Sequence, residues 1–185
     1  MLGEGSHLLN LDKNRLAIGG TSAGANLAAV VTQRSLSKPS SEFHGIVQQL
    51  LVVPVADNTA TIDNNPTWHD FQFTVGLTAE KMTWYRKHYL PDEKDRSNPE
   101  ASPLLFPAEK MSRLPPALII VAELDILRHE GEEYARKLQA AGVSVELKTI
   151  SGMPHSFLTM DSALSASRSA ITLLCETLAR AVDFK

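Results

Sequence analysis

One cysteine among 185 residues, no run of lysines or arginines, and no apolar stretch of membrane-spanning length are the first features of this sequence. Each lack excludes something. A lone Cys175 cannot form an intramolecular disulfide and offers no thiol metal site, and within its apolar helical surroundings it reads as a buried structural residue. Lys and Arg total 18 against 21 Asp and Glu, for a formal net charge of -3, which leaves no electrostatic footprint for nucleic acid or an anionic membrane. No histidine, cysteine or carboxylate constellation calls for a metal or an organic cofactor. Residues 1–7 show no basic region followed by an apolar run, and no segment is long enough to span a bilayer, so the expectation is a cytoplasmic protein. There is no internal repeat and no low-complexity tail.

What is present is 43% hydrophobic and 21% charged residues, the balance of one globular domain with a real core. Read in order, apolar strand patterns alternate with helical ones. A strand over 15–19 runs through Gly20-Thr21-Ser22-Ala23-Gly24 into a helix carrying Leu27, Ala28, Val30 and Val31. The mostly apolar run 46–55, rich in Val, Leu and Ile, suits a strand covered on both faces. A long excursion over 56–115 contains the aromatics Trp68, Phe71 and Phe73, and a helix capped by Thr78 that bears Met82, Tyr85 and Tyr89. A segment this long reads either as a substrate-covering cap or as an aromatic mini-core sealing the sheet edge. Strands follow over 117–122 and 143–150, the second alternating, with an amphipathic helix between them that ends at Gly142. A last helix over 162–182 places Ala163, Ala170, Leu174, Leu178 and Ala179 on one stripe. The whole predicts a parallel α/β sheet of about four strands with flanking helices.

The segment around Ser22 has the form Gly-x-Ser-x-Gly between a strand and a helix. Such a sharp turn strains the serine backbone, disfavours bulk two positions to either side, and leaves the hydroxyl at the strand tip beside the positive end of a helix. Alone the pattern is weak, because an ordinary glycine-rich turn looks the same. Its weight comes from two later residues at strand carboxyl ends. Asp125 follows the third strand and His155 the fourth, giving the chain order Ser, Asp, His of a nucleophile, its orienting acid and its base. Among other histidines, His129 sits four residues from Asp125 on a helix, and His7, His44, His69 and His88 lie at no recognisable strand end. Among other acids, Asp57 follows the second strand and Glu123 is still within the third. His155 and Asp125 are favoured.

These residues resemble a family. Gly19-Gly20-Thr21-Ser22-Ala23-Gly24-Ala25-Asn26-Leu27-Ala28, Asp92, Ala101-Ser102-Pro103-Leu104, Leu114-Pro115-Pro116-Ala117, Asp125-x-Leu127-Arg128-x-Glu130-Gly131 and Gly152-Met153-x-His155-x-Phe157 are similar to the α/β-hydrolase fold-3 group, the hormone-sensitive-lipase-like and arylacetamide-deacetylase-like esterases. The resemblance implies a cofactor-free serine hydrolase that cleaves short acyl or aryl carboxylic esters through an acyl-enzyme. It assigns Ser22 as nucleophile, His155 as base and Asp125 as acid, and Ala23 as an oxyanion-hole residue through its N–H. Departures are Thr21 where aspartate is common, Ile126 for proline, His129 for aspartate and Ser156 for glycine.

A larger departure is the missing His-Gly-Gly motif, which family members carry upstream of the serine and whose N–H groups form most of the oxyanion hole. His44-Gly45 lies on the wrong side of Ser22. The expectation is therefore a single, shortened domain over 1–185 that carries the C-terminal half of the fold. Such a domain would be weakly active, with an exposed sheet edge covered by a second copy or by a partner chain. The alternative is a non-catalytic binding protein on the same scaffold, as in the related plant gibberellin receptors.

Overall fold

The computed structural model describes residues 12, 14–36 and 45–182. Four strands, β1 (Leu16–Thr21), β2 (Ile46–Val52), β3 (Ala117–Ala122) and β4 (Val145–Ile150), form one sheet in sequence order, every adjacent pair parallel. Helix α1 (Ala23–Ser35) joins β1 to β2, and α5 (Arg128–Ala140) joins β3 to β4. Between β2 and β3 lie α2 (Pro66–Asp70), α3 (Ala79–Tyr89), two short 3-10 turns and α4 (Ala108–Met111), and α6 (Ser165–Ala181) is the last described helix.

Both faces of the sheet are covered at β3. Its residues alternate between two cores. Ile119 and Val121 join Ala25, Ala28, Tyr134 and Leu138 beneath α1 and α5. Leu118, Ile120 and Ala122 join Val52, Phe157 and Ala170 beneath α6. All six β3 residues are buried, which is why this strand reads as an unbroken apolar run. Gly131 lets α5 approach closely, since a Cβ there would lie 2.8 Å from Val121 Cγ1.

The excursion builds a third cluster in which Trp68, Leu77, Ala79 and Met82 pack on Val55, Ile126 and Leu127. Of the three aromatics expected to form a mini-core, only Trp68 is buried in this cluster. Phe73 is 87% exposed and takes no part in it, and Phe71 is only partly buried against it. Thr78 caps α3 as anticipated, its hydroxyl accepting from the Lys81 N–H.

Other expectations also shift. The run 46–55 is a strand only to Val52, because Val53 takes φ 42 and turns the chain ahead of Pro54. The fourth strand begins at Val145 and does not alternate in burial, since its one neighbour in the described sheet is β3 and its four middle residues are exposed. Helix α6 starts at Ser165, leaving Ala163 outside it, and Leu178 is 40% exposed. Cys175 is exposed rather than buried. β1 pairs with β2 alone in the described sheet, as an edge strand does. Among the described residues no helix is long and apolar enough to cross a membrane.

Candidate active site

Ser22 stands between β1 and α1 with φ 55 and ψ -118, a region that a non-glycine residue enters only when its surroundings hold it there. Three bonds do so. The Ser22 N–H donates to Val52 O at 2.9 Å, and Ser22 O accepts from Asn26 N at 3.0 Å and from Val55 N at 3.5 Å. A serine at a helix N-cap usually caps the first turn with its own hydroxyl. Ser22 makes no such bond, so its Oγ is free for another partner.

The two glycines around it differ. A Cβ on Gly20 would lie 2.4 Å from Gly24 C and 2.5 Å from Gly24 O, so only glycine fits where the strand crosses the helix start. A Cβ on Gly24 meets nothing within 4 Å, which corrects the expectation that bulk is disfavoured on both sides. Gly20→Ala is accordingly expected to cost about 3 kcal/mol by overpacking. Gly24→Ala, within α1, is expected to be neutral or to gain up to about 1 kcal/mol. Urea unfolding midpoints of the two variants check the contrast.

Asp125 and His155 reach Ser22 from the ends of β3 and β4. His155 Nε2 lies 2.9 Å from Ser22 Oγ, and His155 Nδ1 lies 2.8 Å from Asp125 Oδ2. Asp125 is fully buried, and its other oxygen accepts the Leu127 N–H at 3.0 Å, which fixes the carboxylate plane. A proton on Nδ1, donated to Asp125, leaves Nε2 as the acceptor facing the serine. Ala23 opens α1, where an N–H has no partner within the helix, and it lines the same cleft as Ser22 and His155.

The other candidates fall elsewhere. Asp57 closes a local turn by accepting from Thr59 N and Thr59 Oγ1. Glu123 stands one residue beyond β3, although its N–H still donates to Ile150 O. His129 pairs with Glu133 at 3.6 Å on the surface of α5, His69 pairs with Asp70, and His88 bonds back to Trp84 O. His7 and His44 lie outside the described residues. Among the described residues no three His, Cys, Asp or Glu side chains converge to hold a metal ion.

Two buried polar residues, present in the sequence pattern but without a role there, hold the site together. Asn26, one turn into α1, donates through Nδ2 to Val55 O at 2.7 Å and to Ala101 O at 2.8 Å. It ties the serine helix to the segment after β2 and to the Ala101-Ser102-Pro103 turn. Glu130, five residues after Asp125, accepts the Ala56 N–H at 2.8 Å, the Asp57 N–H at 3.2 Å and the Trp68 Nε1–H at 3.3 Å. Complete burial pushes its carboxyl up to about 8, against the opposing pull of the donated N–H groups and of Arg86. The signal for both is a polar side chain at a helix position that faces the core, visible only once the helix faces are known.

The cleft in front of Ser22 has a volume of about 720 Å³. One wall is the face of α3 that presents Met82, Tyr85 and Tyr89, and Leu27 and Val55 line the cleft together with Ser22 and His155. The excursion thus contributes both a packed cluster and a wall of the cleft.

Comparison with known proteins identifies the family. The chain is 45% identical over 165 residues to an AB hydrolase superfamily protein of Schizosaccharomyces pombe, covering 89% of this chain and 48% of that one. It is 41% identical over 150 residues to the carboxylic ester hydrolase LipN of Mycobacterium tuberculosis, covering 79% and 38% respectively. The crystal structure of carboxyl esterase 2 from Tuber melanosporum superposes with a TM-score of 0.90 at 28% identity, over 98% of this chain and 58% of that one. The chain therefore spans about half the length of the curated relatives it matches. With residues 2–159 matching the model of the alpha/beta hydrolase fold, and with relatives and structural neighbours of this kind, the chain belongs to the α/β-hydrolase fold-3 family.

Proposed function

We propose that the chain carries the catalytic half of a serine carboxylic ester hydrolase, with Ser22 as nucleophile, His155 as general base and acid, and Asp125 as the orienting carboxylate. The observation that carries the proposal is the continuous hydrogen-bonded line from Ser22 Oγ through His155 to the buried Asp125, at 2.9 and 2.8 Å. Esterase relatives and neighbours support the same chemistry.

In this reading His155 Nε2 takes the Ser22 proton as Oγ attacks the ester carbonyl carbon. The oxyanion that forms faces the Ala23 N–H and the positive end of α1. Collapse expels the alcohol, which receives the proton from His155, and leaves the acyl group on Ser22. Water then enters, gives its proton to Nε2 and attacks the acyl carbon. The acid is released and Ser22 Oγ is reprotonated. Asp125 holds the Nδ1–H tautomer and stabilises the imidazolium in both halves.

The apolar part of the lining, Leu27, Val55, Leu77 and Met82, and the moderate cleft volume suit short acyl or aryl esters. Ala23 supplies one oxyanion donor, and the sequence contains no His-Gly-Gly segment to supply the rest. The absence of one donor costs about a hundredfold to a thousandfold in rate, so the chain alone is a slow catalyst. Rapid mixing with p-nitrophenyl acetate tests the acyl-enzyme. A burst of nitrophenol stoichiometric with protein, followed by slow turnover, is expected, and hydrolysis no faster than in buffer would count against the proposal.

A further inference from the structure

His155 depends on a loop with no regular structure over 151–156, yet its ring must meet Asp125 on one side and Ser22 on the other. The loop is fastened to the turn that carries Asp125, and the fastening centres on one carboxylate. Glu123 Oε2 accepts the Ser151 Oγ–H at 2.7 Å and the Gly152 N–H at 2.6 Å. These bonds hold the carboxyl below its ordinary range, the Ser151 bond contributing most. The main chain beside it adds two more, Glu123 N–H to Ile150 O at 3.1 Å and Leu124 N–H to Met153 O at 3.0 Å. Glu123 is itself held from behind, because Arg128 Nη1 donates to its carbonyl at 2.8 Å.

Gly152 takes part through its conformation. It has φ +70, and a Cβ there would meet nothing within 4 Å, so glycine is used for its backbone freedom and not for space. That conformation presents its N–H to Glu123. Asp125 lies two residues after Glu123, and His155 lies three residues after Gly152. The carboxylate therefore closes a short ring of contacts that makes the acid turn and the base loop one body.

We propose that Glu123 is a positioning residue for His155, fixing the loop over 151–156 against the Asp125 turn so that the ring keeps its bonds to both Asp125 and Ser22. The inference rests on the hydrolase reading for its kinetic consequence but not for its structural one. The plain alternative is a surface staple that leaves the imidazole where it is.

The test compares the 185-residue protein with Glu123→Ala, Glu123→Gln and Ser151→Ala, using two readouts. One is kcat and KM on p-nitrophenyl acetate. The other is the low-field proton resonance of an imidazole Nδ1–H shared with a carboxylate, which reports the His155–Asp125 bond whether or not the protein turns over. Glu123→Ala is expected to lower kcat by about tenfold to a hundredfold, as loss of catalytic alignment does, with KM within about twofold. Its low-field signal should broaden or vanish while the melting temperature holds.

Glu123→Gln keeps an acceptor oxygen and is expected to recover most of both readouts. Ser151→Ala removes one donor of the pair and is expected to give the same changes at smaller size, which keeps the test open should Glu123→Ala fail to fold. Wild-type kcat and an unchanged resonance in both Glu123→Ala and Ser151→Ala would overturn the proposal, as would equal losses in Glu123→Ala and Glu123→Gln. A resonance lost in Glu123→Ala in a protein whose wild type hydrolyses nothing would support the positioning role and count against the hydrolase reading instead.

Discussion

Ser22→Ala, His155→Ala and the double variant should each lose ester hydrolysis by about a thousandfold or more, and the double should be no worse than either single. In the proposed mechanism the two side chains do one job. Ser22 Oγ is a weak nucleophile until His155 Nε2, 2.9 Å away, accepts its proton, and His155 has no reacting partner once Oγ is gone. Independent contributions would multiply, whereas members of one relay do not. What survives in all three variants is the contribution of the cleft and the Ala23 N–H, and it should be the same residual rate in each. Asp125→Asn should cost nearly as much while leaving the fold intact. An asparagine amide at the Oδ2 position, 2.8 Å from Nδ1, favours the tautomer that points a proton at Ser22 instead of a lone pair. Steady-state hydrolysis of p-nitrophenyl acetate by the four variants checks these outcomes.

The second large effect is on stability and belongs to Glu130. Glu130→Ala leaves three donors, the buried Ala56 N–H and Trp68 indole and the part-buried Asp57 N–H, without this acceptor, and is expected to cost on the order of 3 kcal/mol. The same carboxyl gives a pH dependence with a definite sign. Burial lifts its native pKa from an ordinary 4.5 to about 8. Between those values the native state keeps a proton that the unfolded chain has released. Glu130's contribution to stability is therefore complete below about pH 4.5 and declines as pH rises toward 8. Glu130→Gln cannot titrate, retains one acceptor for the backbone N–H groups, and should flatten that decline. Urea midpoints of wild type and Glu130→Gln at pH 5 and pH 8 decide the matter; parallel pH profiles would refute it.

The fold class is legible because its signals are local. Strand patterns alternate with helical ones, and β3 is found at the residues its unbroken apolar run marks, 117–122. Strand ends are less legible where tertiary constraint overrides pattern. Val53, β-branched and followed by proline, looks like strand continuation, yet at φ 42 it bends the chain under Ser22. Phe73 and Cys175 show the same limit, since hydrophobic character alone does not say which side of a turn or helix meets the core. At the site, Ser22, Asp125 and His155 are legible as a set because chain order and strand-end placement select them jointly. Asn26, Glu123 and Glu130 are not, because their partners lie on distant segments: Val55 and Ala101, Ser151 and Gly152, and Ala56, Asp57 and Trp68. The redundancy of glycine at position 24 is equally invisible until the space around it is seen.

The central claim is that Ser22 is an activated nucleophile, and reaction with a fluorophosphonate tests it most directly, because phosphonylation needs the serine and its base but not an efficient oxyanion hole. Intact-mass and peptide mass spectrometry should find one adduct per chain, located on Ser22, formed by the wild type and absent from Ser22→Ala and His155→Ala. A wild-type protein that remains unlabelled, or one labelled at another residue, would contradict the account and leave the chain a binding scaffold on an α/β-hydrolase fold.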